Sequence, residues 1–373
     1  MLQNKIYQNF LIEIFKTFLM ILFGLSLIAL TVRSVSFLDL IVENGYQVGV
    51  YFKYSILNLF GIIPKFIPLS FLIALTLFIF KHLQDSEFVI LWTSGEKKIY
   101  IVNLFFISSI GILIFYLILS TFLTPMALNQ SRQIISNDKY NSFLPTIRTQ
   151  QFTDSFKGFT FFVEKKIDNK IQNVFLYDSG NNLKNLSSNS SETNSTSIVA
   201  KSGIIEDKKI LLFSGQIISS KKNSASELIK FEQLNIDLSN LRTNTIKKPK
   251  IQETSTIKLL NCLLYQSKKN KFCNEGFKKE ILPTLNRRVV IPFYIPVLSL
   301  ICSFLLIKSK KIYFNKIVVF LYSFALLLFT ELAVRYTGIN NIVLLIFMTI
   351  PFILLIVLYF FLIFKFSKES KPI

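Results

Sequence analysis

Six long apolar stretches constrain this 373-residue chain more than any other feature of its sequence. A lipid hydrocarbon core about 30 Å thick needs roughly 20 apolar residues for each spanning helix. A mean hydropathy of +0.48 and a charged fraction of only 17% also exclude an ordinary soluble protein, which carries roughly 25% charged residues. The sequence therefore predicts an integral membrane protein with spans at 17–36, 59–80, 99–123, 289–307, 316–336 and 342–364.

The basic residues of the short loops predict how these spans are oriented. Short loops rich in Lys and Arg stay in the cytoplasm. The loops 81–98 and 308–316 and the C-terminal tail are rich in Lys, whereas 34–50 and 337–341 contain no basic residue. We therefore expect both termini and the two Lys-rich loops to be cytoplasmic. The polar insert 125–286 is expected on the opposite side of the membrane.

The insert has the sequence pattern of an all-β domain. Short runs alternate apolar and polar residues, and stretches rich in Asn, Ser and Gly separate them. Strands at this spacing are typical of a sandwich, a jelly roll or a partly open barrel. The predicted strands are 159–164, 172–178, 198–207, 209–214, 216–220 and 228–238. The Asn- and Ser-rich tract 185–197 is predicted to be a solvated loop.

The ionisable residues give no indication of an enzyme. The chain has one His, and it lacks a phosphate-binding loop and the H-E-x-x-H, C-x-x-C and G-x-S-x-G motifs. We predict no catalytic residue, no metal site and no cofactor. His82 stands at a helix end and is predicted to be solvated. Glu331 and Arg335 are predicted to form a local ion pair at helical spacing, with a role in a proton or substrate path as the alternative.

The three cysteines fall into two groups. Cys262 and Cys273 lie in the exported insert, where a disulfide bond and two free thiols are both open. Cys302 lies in the fourth span and is interpreted as a small apolar residue.

Basic residues also stand at the span ends that face away from the cytoplasm. They are Arg33, Lys65, Arg287, Arg288 and Arg335. Positive charge normally accumulates on the cytoplasmic side, so this placement needs an explanation. One reading is that each side chain reaches lipid phosphates or pairs locally. The other is that together they make charge-assisted hydrogen bonds to the phosphates of a lipid substrate.

Four short patches are specific enough to suggest a family. They are RSVSFLDLIVENG at 33–45, DSEFVILWTSG at 85–95, LTPM at 123–126 and LNRR at 285–288. With the layout of three spans, a β insert and three spans, they resemble the LptF/LptG (YjgP/YjgQ) family of lipopolysaccharide export permeases. The first patch favours LptF, most closely that of α-proteobacteria. The triplet WTS at 92–94 departs from the family, which usually has Arg and small residues there.

The resemblance implies a fold and a set of partners. It divides the chain into transmembrane parts 1–124 and 287–373 around a periplasmic β-jellyroll, 125–286. The chain would be one half of an inner-membrane ABC transporter, paired with an LptG-like half and powered by a cytoplasmic LptB-like ATPase dimer that binds the ATP. Lipopolysaccharide would contact basic residues such as Arg33 and pass to an LptC-like protein, and no nucleic acid is expected. The alternatives are an LptG-type half, another ABC permease, and a non-transport scaffold or assembly factor with an exported β domain.

The loop 81–98 is the predicted contact with the ATPase. Its central part, about 83–95, is predicted to form an amphipathic helix with Phe88, Val89, Leu91 and Trp92 on one face and Gly95 as a left-handed cap. The residues alone fit a helix resting on lipid headgroups. The resemblance implies a coupling helix in an ATPase groove, where Glu87 meets a basic residue. The predicted coupling residues are Glu87, Phe88, Leu91, Trp92 and Gly95.

Overall fold

The computed structural model describes residues 5–38, 41, 48–138, 149–156, 158–167, 169–179, 193–206, 209–221, 227–237, 250–264, 275–307 and 316–369. The chain forms two compact units. One comprises Met1–Val32, Leu57–Gln130 and Pro249–Ile373, and the other comprises Arg33–Ile56 and Ser131–Lys248.

Long apolar helices make up the first third of the chain. Apolar side chains without a breaking polar run favour helices here, because only a helix satisfies every backbone polar group of a single segment in lipid. The helices are α1 (Lys5–Phe37), α2 (Val48–Gln84), the short α3 (Glu87–Thr93) and α4 (Lys98–Ile118). A π-helical turn at Leu119–Leu123 joins α4 to α5 (Thr124–Asp138).

The last third of the chain is also helical. A 3₁₀ turn at Ile251–Glu253 precedes α6 (Thr256–Leu264) and α7 (Glu275–Val289). A second 3₁₀ turn at Ile291–Phe293 leads to α8 (Tyr294–Ser303), which ends in a third at Phe304–Leu306. The remaining helices are α9 (Lys316–Tyr336) and α10 (Asn341–Glu369).

Six helical segments of the described chain are long and apolar enough to cross a membrane. They are Lys5–Phe37, Val48–Gln84, Lys98–Ile135, Lys279–Leu306, Lys316–Tyr336 and Asn341–Lys368. Their number and order confirm the predicted arrangement of three spans, an insert and three spans. Large side chains such as Phe18, Phe71, Phe105 and Tyr294 are fully buried in the core of this helical unit.

The insert contains a six-stranded antiparallel sheet, which confirms the predicted β domain. Its strands are β1 (Phe152–Phe156), β2 (Phe159–Ile167), β3 (Lys170–Asp178), β4 (Thr193–Glu206), β5 (Lys209–Lys221) and β6 (Glu227–Asp237). Each strand pairs with the next one along the chain, in the order β1 to β6. The described strands are therefore a meander, and the Greek-key order of the predicted jelly roll is not what they form.

One row of residues interrupts the ladder across the sheet. Pairing skips Glu164, Asn173, Lys201, Ser214 and Glu232, although the register on both sides of the row is the same. Asn173 and Ser214 have positive φ angles of 50° and 51°. Alternate residues of a regular strand face the same side of the sheet. In β3, however, Ile171 and Val174 are both buried although they are three residues apart, so the alternation of buried and exposed side chains shifts by one residue between them. At this row of unpaired residues the burial pattern changes phase without a change of register, so one apolar face stays buried in both halves of the sheet.

Candidate functional site

A short helix, α3, lies within the predicted coupling segment of about 83–95, but it covers only Glu87–Thr93, because residues 83 and 84 belong to α2. Its ends are well defined. Ser86 precedes it in a left-handed conformation, with φ of 59°. At the other end Gly95 has φ of +97°, the N–H of Gly95 donates to the Trp92 carbonyl, and the N–H of Glu96 donates to the Leu91 carbonyl. These two bonds form a Schellman motif. The predicted left-handed cap at Gly95 is confirmed.

The apolar faces of α3 differ from the predicted one. Phe88 is fully buried and its ring meets those of Phe10, Phe78 and Phe105 edge to face. Leu91 and Trp92 pack partly buried against the same core. Residues 88, 91 and 92 share a helix face at spacings of three and four, which places Val89 elsewhere. The exposed residues are Val89, Ile90 and Thr93. Phe88 therefore anchors α3, and the outward face is smaller than predicted.

His82, at the end of α2, links three helices. It is 2% exposed, so the prediction of a solvated side chain is wrong. Its Nδ1 lies 2.6 Å from Glu87 Oε2 on α3, and its Nε2 lies 3.2 Å from Glu13 Oε2 on α1. Glu13 also accepts a 2.6 Å hydrogen bond from Lys81 Nζ. We call Glu13, Lys81, His82 and Glu87 the histidine cluster.

A second anchor holds the other end of α3. The Lys98 ammonium lies 4.8 Å from the centre of the Trp92 ring and 5.7 Å from that of Phe366 on α10. It also lies 3.5 Å from the Leu306 carbonyl oxygen at the end of the fourth span. Tyr7 on α1 donates a 3.1 Å hydrogen bond to Glu96. The segment after α3 is therefore tied to three spanning helices through a cation and one carboxylate.

Three of the basic residues predicted to bind lipid are exposed. They are Arg33, Lys65 and Arg335. The Arg33 guanidinium lies 5.8 Å above the ring of Phe37, one turn further along α1. Exposed side chains on a spanning segment are accessible to an amphiphilic ligand, so these three positions are compatible with the predicted role.

Arg287 and Arg288 instead donate hydrogen bonds to other residues of the protein. Arg287 donates to Glu331 on α9 over 2.7 Å. The predicted Glu331–Arg335 pair is therefore wrong, because the carboxylate takes a partner from another helix. Arg288 is 5% exposed and donates to three oxygens of the segment before α6, namely Gln252 O at 2.8 Å, Thr254 O at 2.9 Å and Thr256 Oγ1 at 3.0 Å.

Further bonds join the same place to α4. Ser120 Oγ, in the π-helical turn, donates to the Arg288 carbonyl over 2.9 Å, and Thr256 Oγ1 donates to the Thr121 carbonyl over 2.9 Å. The chain returning from the β domain is thus fastened to the third and fourth spans. We call the set Ser120, Thr121, Gln252, Thr254, Thr256 and Arg288 the return clasp. Sequence patterns give no signal for it, because its acceptors are mainly backbone carbonyls.

Two of the three cysteines lie in the part of the chain that the structure describes. Cys262 is disulfide-bonded, which resolves the alternatives in favour of a disulfide; Cys273 lies outside the described residues. Cys302 is a free, buried thiol. Within the described ranges, no group of three or more His, Cys, Asp and Glu side chains is arranged to hold a metal ion.

Six helices that can span a membrane, an inserted antiparallel sheet and a short helix between the second and third spans define a multi-pass membrane protein with an inserted β domain. Residues 10–365 match the family described as "Lipopolysaccharide export system permease LptF/LptG". The chain belongs to this family, whose members are the transport permeases of the lipopolysaccharide export system. Proteins of this family work within the Lpt complex. No individual curated protein matches the chain.

Proposed function

We propose that this chain is the LptF-type half of an ABC transporter that extracts lipopolysaccharide from the inner membrane and passes it to a periplasmic bridge. An LptG-like half completes the membrane part, an LptB-like ATPase dimer binds the ATP, and an LptC-like protein receives the lipid. The chain itself holds no cofactor in this proposal. The family match over residues 10–365 is the observation that carries the proposal.

The orientation belongs to the proposal as well, with both termini cytoplasmic and the sheet periplasmic. The Lys-rich loops on one side support it. A second, independent support is the disulfide bond of Cys262, just after the sheet. Disulfides persist in the periplasm and are rare in the cytoplasm.

The ATPase contact in this proposal is the outer face of α3. Val89 is 44% exposed and Ile90 is 63% exposed, and a small apolar face of this kind supplies affinity in a groove. Glu87 stands beside it with a side chain that is 45% exposed, and a charged contact of this kind mainly fixes register and specificity. Phe88, Leu91, Trp92 and Gly95 act by holding and ending the helix.

Lipid phosphates are proposed to meet the exposed basic residues Arg33, Lys65 and Arg335. Arg is well suited to this role, because its planar guanidinium donates two parallel hydrogen bonds to a phosphate. Arg287, predicted with the other three, donates to Glu331, and Arg288 donates to three oxygens of the return clasp. We therefore leave these two out of the proposed lipid site.

Photocrosslinking beside Arg33 tests the proposal. A crosslinking amino acid at the exposed neighbour Val32 should form an adduct with lipopolysaccharide in membranes that contain the complete transporter, and ATP should reduce it. Arg33→Glu should remove most of the adduct, because it repels the phosphate, whereas Arg33→Lys should keep it. The control position is Leu345 on α10, which is 64% exposed and apolar. Equal adducts in Arg33→Glu and the parent protein, or an adduct of equal strength at Leu345, contradict a lipid contact at Arg33.

A further inference from the structure

The histidine cluster brings two carboxylates to one buried imidazole. Neutral imidazole has one N–H donor and one lone pair. Both ring nitrogens of His82 lie close to carboxylate oxygens, at 2.6 Å and 3.2 Å, so a neutral ring would leave one unprotonated nitrogen beside an anion. The two contacts are attractive together only when both nitrogens carry protons.

The surroundings of the ring would make a charge on His82 costly. Phe10, Phe78 and Phe88 surround His82 with ring centres at 4.9, 4.1 and 5.4 Å. A charge among aromatic side chains is held only by partners that compensate its lost hydration. Glu13 from α1 and Glu87 from α3 are those partners, while Lys81 from α2 balances Glu13 from the exposed side.

The contact with Glu13 is coulombic in character. Nε2 approaches Oε2 at ion-pair distance without the alignment of a hydrogen bond, whereas the shorter Glu87 contact is a hydrogen bond. His82 therefore orients the Glu87 carboxylate through Oε2. Because the Glu87 side chain remains 45% exposed, it keeps an accessible edge for a second, external cation.

We infer that His82, held between Glu13 and Glu87, is a positioning residue that fixes the orientation of α3 and of the Glu87 carboxylate against α1 and α2. It presents the outer face Val89–Ile90 and Glu87 together to the ATPase subunit, and in this respect the inference rests on the function proposed above. Phe88 supplies the apolar anchor of α3, and His82 supplies its orientation.

The sequence offers an unusually direct spectroscopic test, because His82 is the one histidine of the chain. The full-length protein is labelled with ¹⁵N-histidine, purified through a tag without histidine and placed in lipid nanodiscs. The chemical shifts of the two ring nitrogens report which of them is hydrogen-bonded to a carboxylate. In the parent protein we expect the Nδ1 signal of a ring hydrogen-bonded to a carboxylate, and Glu87→Gln should move this signal whereas Asp85→Asn should not. A parent spectrum that Glu87→Gln leaves unchanged overturns the inference.

Hydrogen exchange of the α3 amides tests orientation without the ATPase. Glu13→Gln and His82→Gln should raise exchange at residues 89–92. Asp85→Asn is the matched control, because it removes an exposed negative charge two residues from Glu87. In the part of the chain that the structure describes, Asp85 makes no hydrogen bond or ion pair with His82. Unchanged exchange in both cluster variants overturns the inference and leaves the proposed function untouched.

Capture of the purified ATPase subunit then tests the functional link. Glu13 lies on α1, away from the outer face of α3, yet we expect Glu13→Gln to weaken capture about tenfold, the equivalent of one charge-assisted hydrogen bond. Asp85→Asn should change it less than twofold. If α3 loosens in the exchange experiment while capture is unchanged, the docking role of α3 is refuted, and with it the functional part of the inference.

Discussion

The return clasp predicts that Arg288 contributes strongly to the stability of the protein. Replacing Arg288 by Ala removes the donor that holds Gln252 O, Thr254 O and Thr256 Oγ1 at 2.8–3.0 Å. Hydrogen bonds to a charged donor contribute about 1.5–3 kcal/mol each, and part of this is offset because the guanidinium no longer has to be dehydrated. We expect a net loss of about 3–5 kcal/mol in the free energy of unfolding, the range for removing one member of a buried charged network.

The neighbouring arginine provides a control of the same chemical type. The side chains of Arg287 and Glu331 are 33% and 50% exposed, so Arg287→Ala removes an ion pair worth about 1 kcal/mol or less. Unfolding can be followed in detergent with a thiol-reactive fluorescent dye, since Cys302 on α8 is free and buried. A loss for Arg288→Ala no larger than for Arg287→Ala would refute the reasoning.

Arg288→Lys distinguishes a structural role of Arg288 in the return clasp from a role in lipid binding. Lysine keeps the charge, and it binds phosphate well as a point charge. It cannot reproduce the fork that reaches three separate oxygens. A clasp therefore predicts that Arg288→Lys is destabilised by about half as much as Arg288→Ala, while a lipid ligand predicts near-normal stability.

Two other predictions concern α3 and the sheet. Ile90→Asp should weaken capture of the ATPase subunit at least tenfold by placing a charge on the outer face of α3, while Ile90→Leu should leave it unchanged; equal capture by both variants contradicts docking through this face. In the sheet, a Cβ at Gly215 would meet the Val199 carbonyl oxygen and the Phe231 ring, so Gly215→Ala should cost about 1–3 kcal/mol. Limited proteolysis of the full chain should show it as faster cleavage within 152–237. Gly24→Ala, where a Cβ would meet no described atom within 4 Å, should cleave at the parent rate.

The sequence predicts the spans well and the strands less well, for a physical reason. A spanning helix needs only length and apolarity, and both are visible in the residues. A strand is recognised by alternation, and the row of unpaired residues across the sheet changes the phase of that alternation. The predicted strands 209–214 and 216–220 are one strand, β5, in which Ser214 with its positive φ marks the change of phase. Residues Thr193–Ser197, predicted as a loop because they are polar, belong to β4, where backbone pairing with β5 holds them.

In the candidate sites, too, local features can be predicted from the sequence, whereas contacts between helices cannot. The position of α3 and its cap at Gly95 follow from local residue types, because a Schellman motif is built within a few residues. The contact between His82 and Glu13 does not follow from local residue types, since Glu13 lies on another helix. Likewise Glu331 has Arg335 at ideal spacing on its own helix, yet it pairs with Arg287 across the helix interface. Local spacing makes an ion pair available, and packing decides which one forms.

The five basic residues that look alike in the sequence therefore differ in their structural surroundings. Arg287 and Arg288 hold helices and the return clasp together, and a charge there serves stability whether or not lipid is present. Arg33, Lys65 and Arg335 are exposed on spanning segments, where an amphiphilic ligand can reach them. A protein that moves an anionic lipid gains from basic residues at such positions, because they can donate charge-assisted hydrogen bonds to its phosphates. Selection for transport and selection for folding can thus leave the same residue type at neighbouring positions. Burial sets Arg288 apart from the exposed residues, and the ion pair with Glu331 sets Arg287 apart.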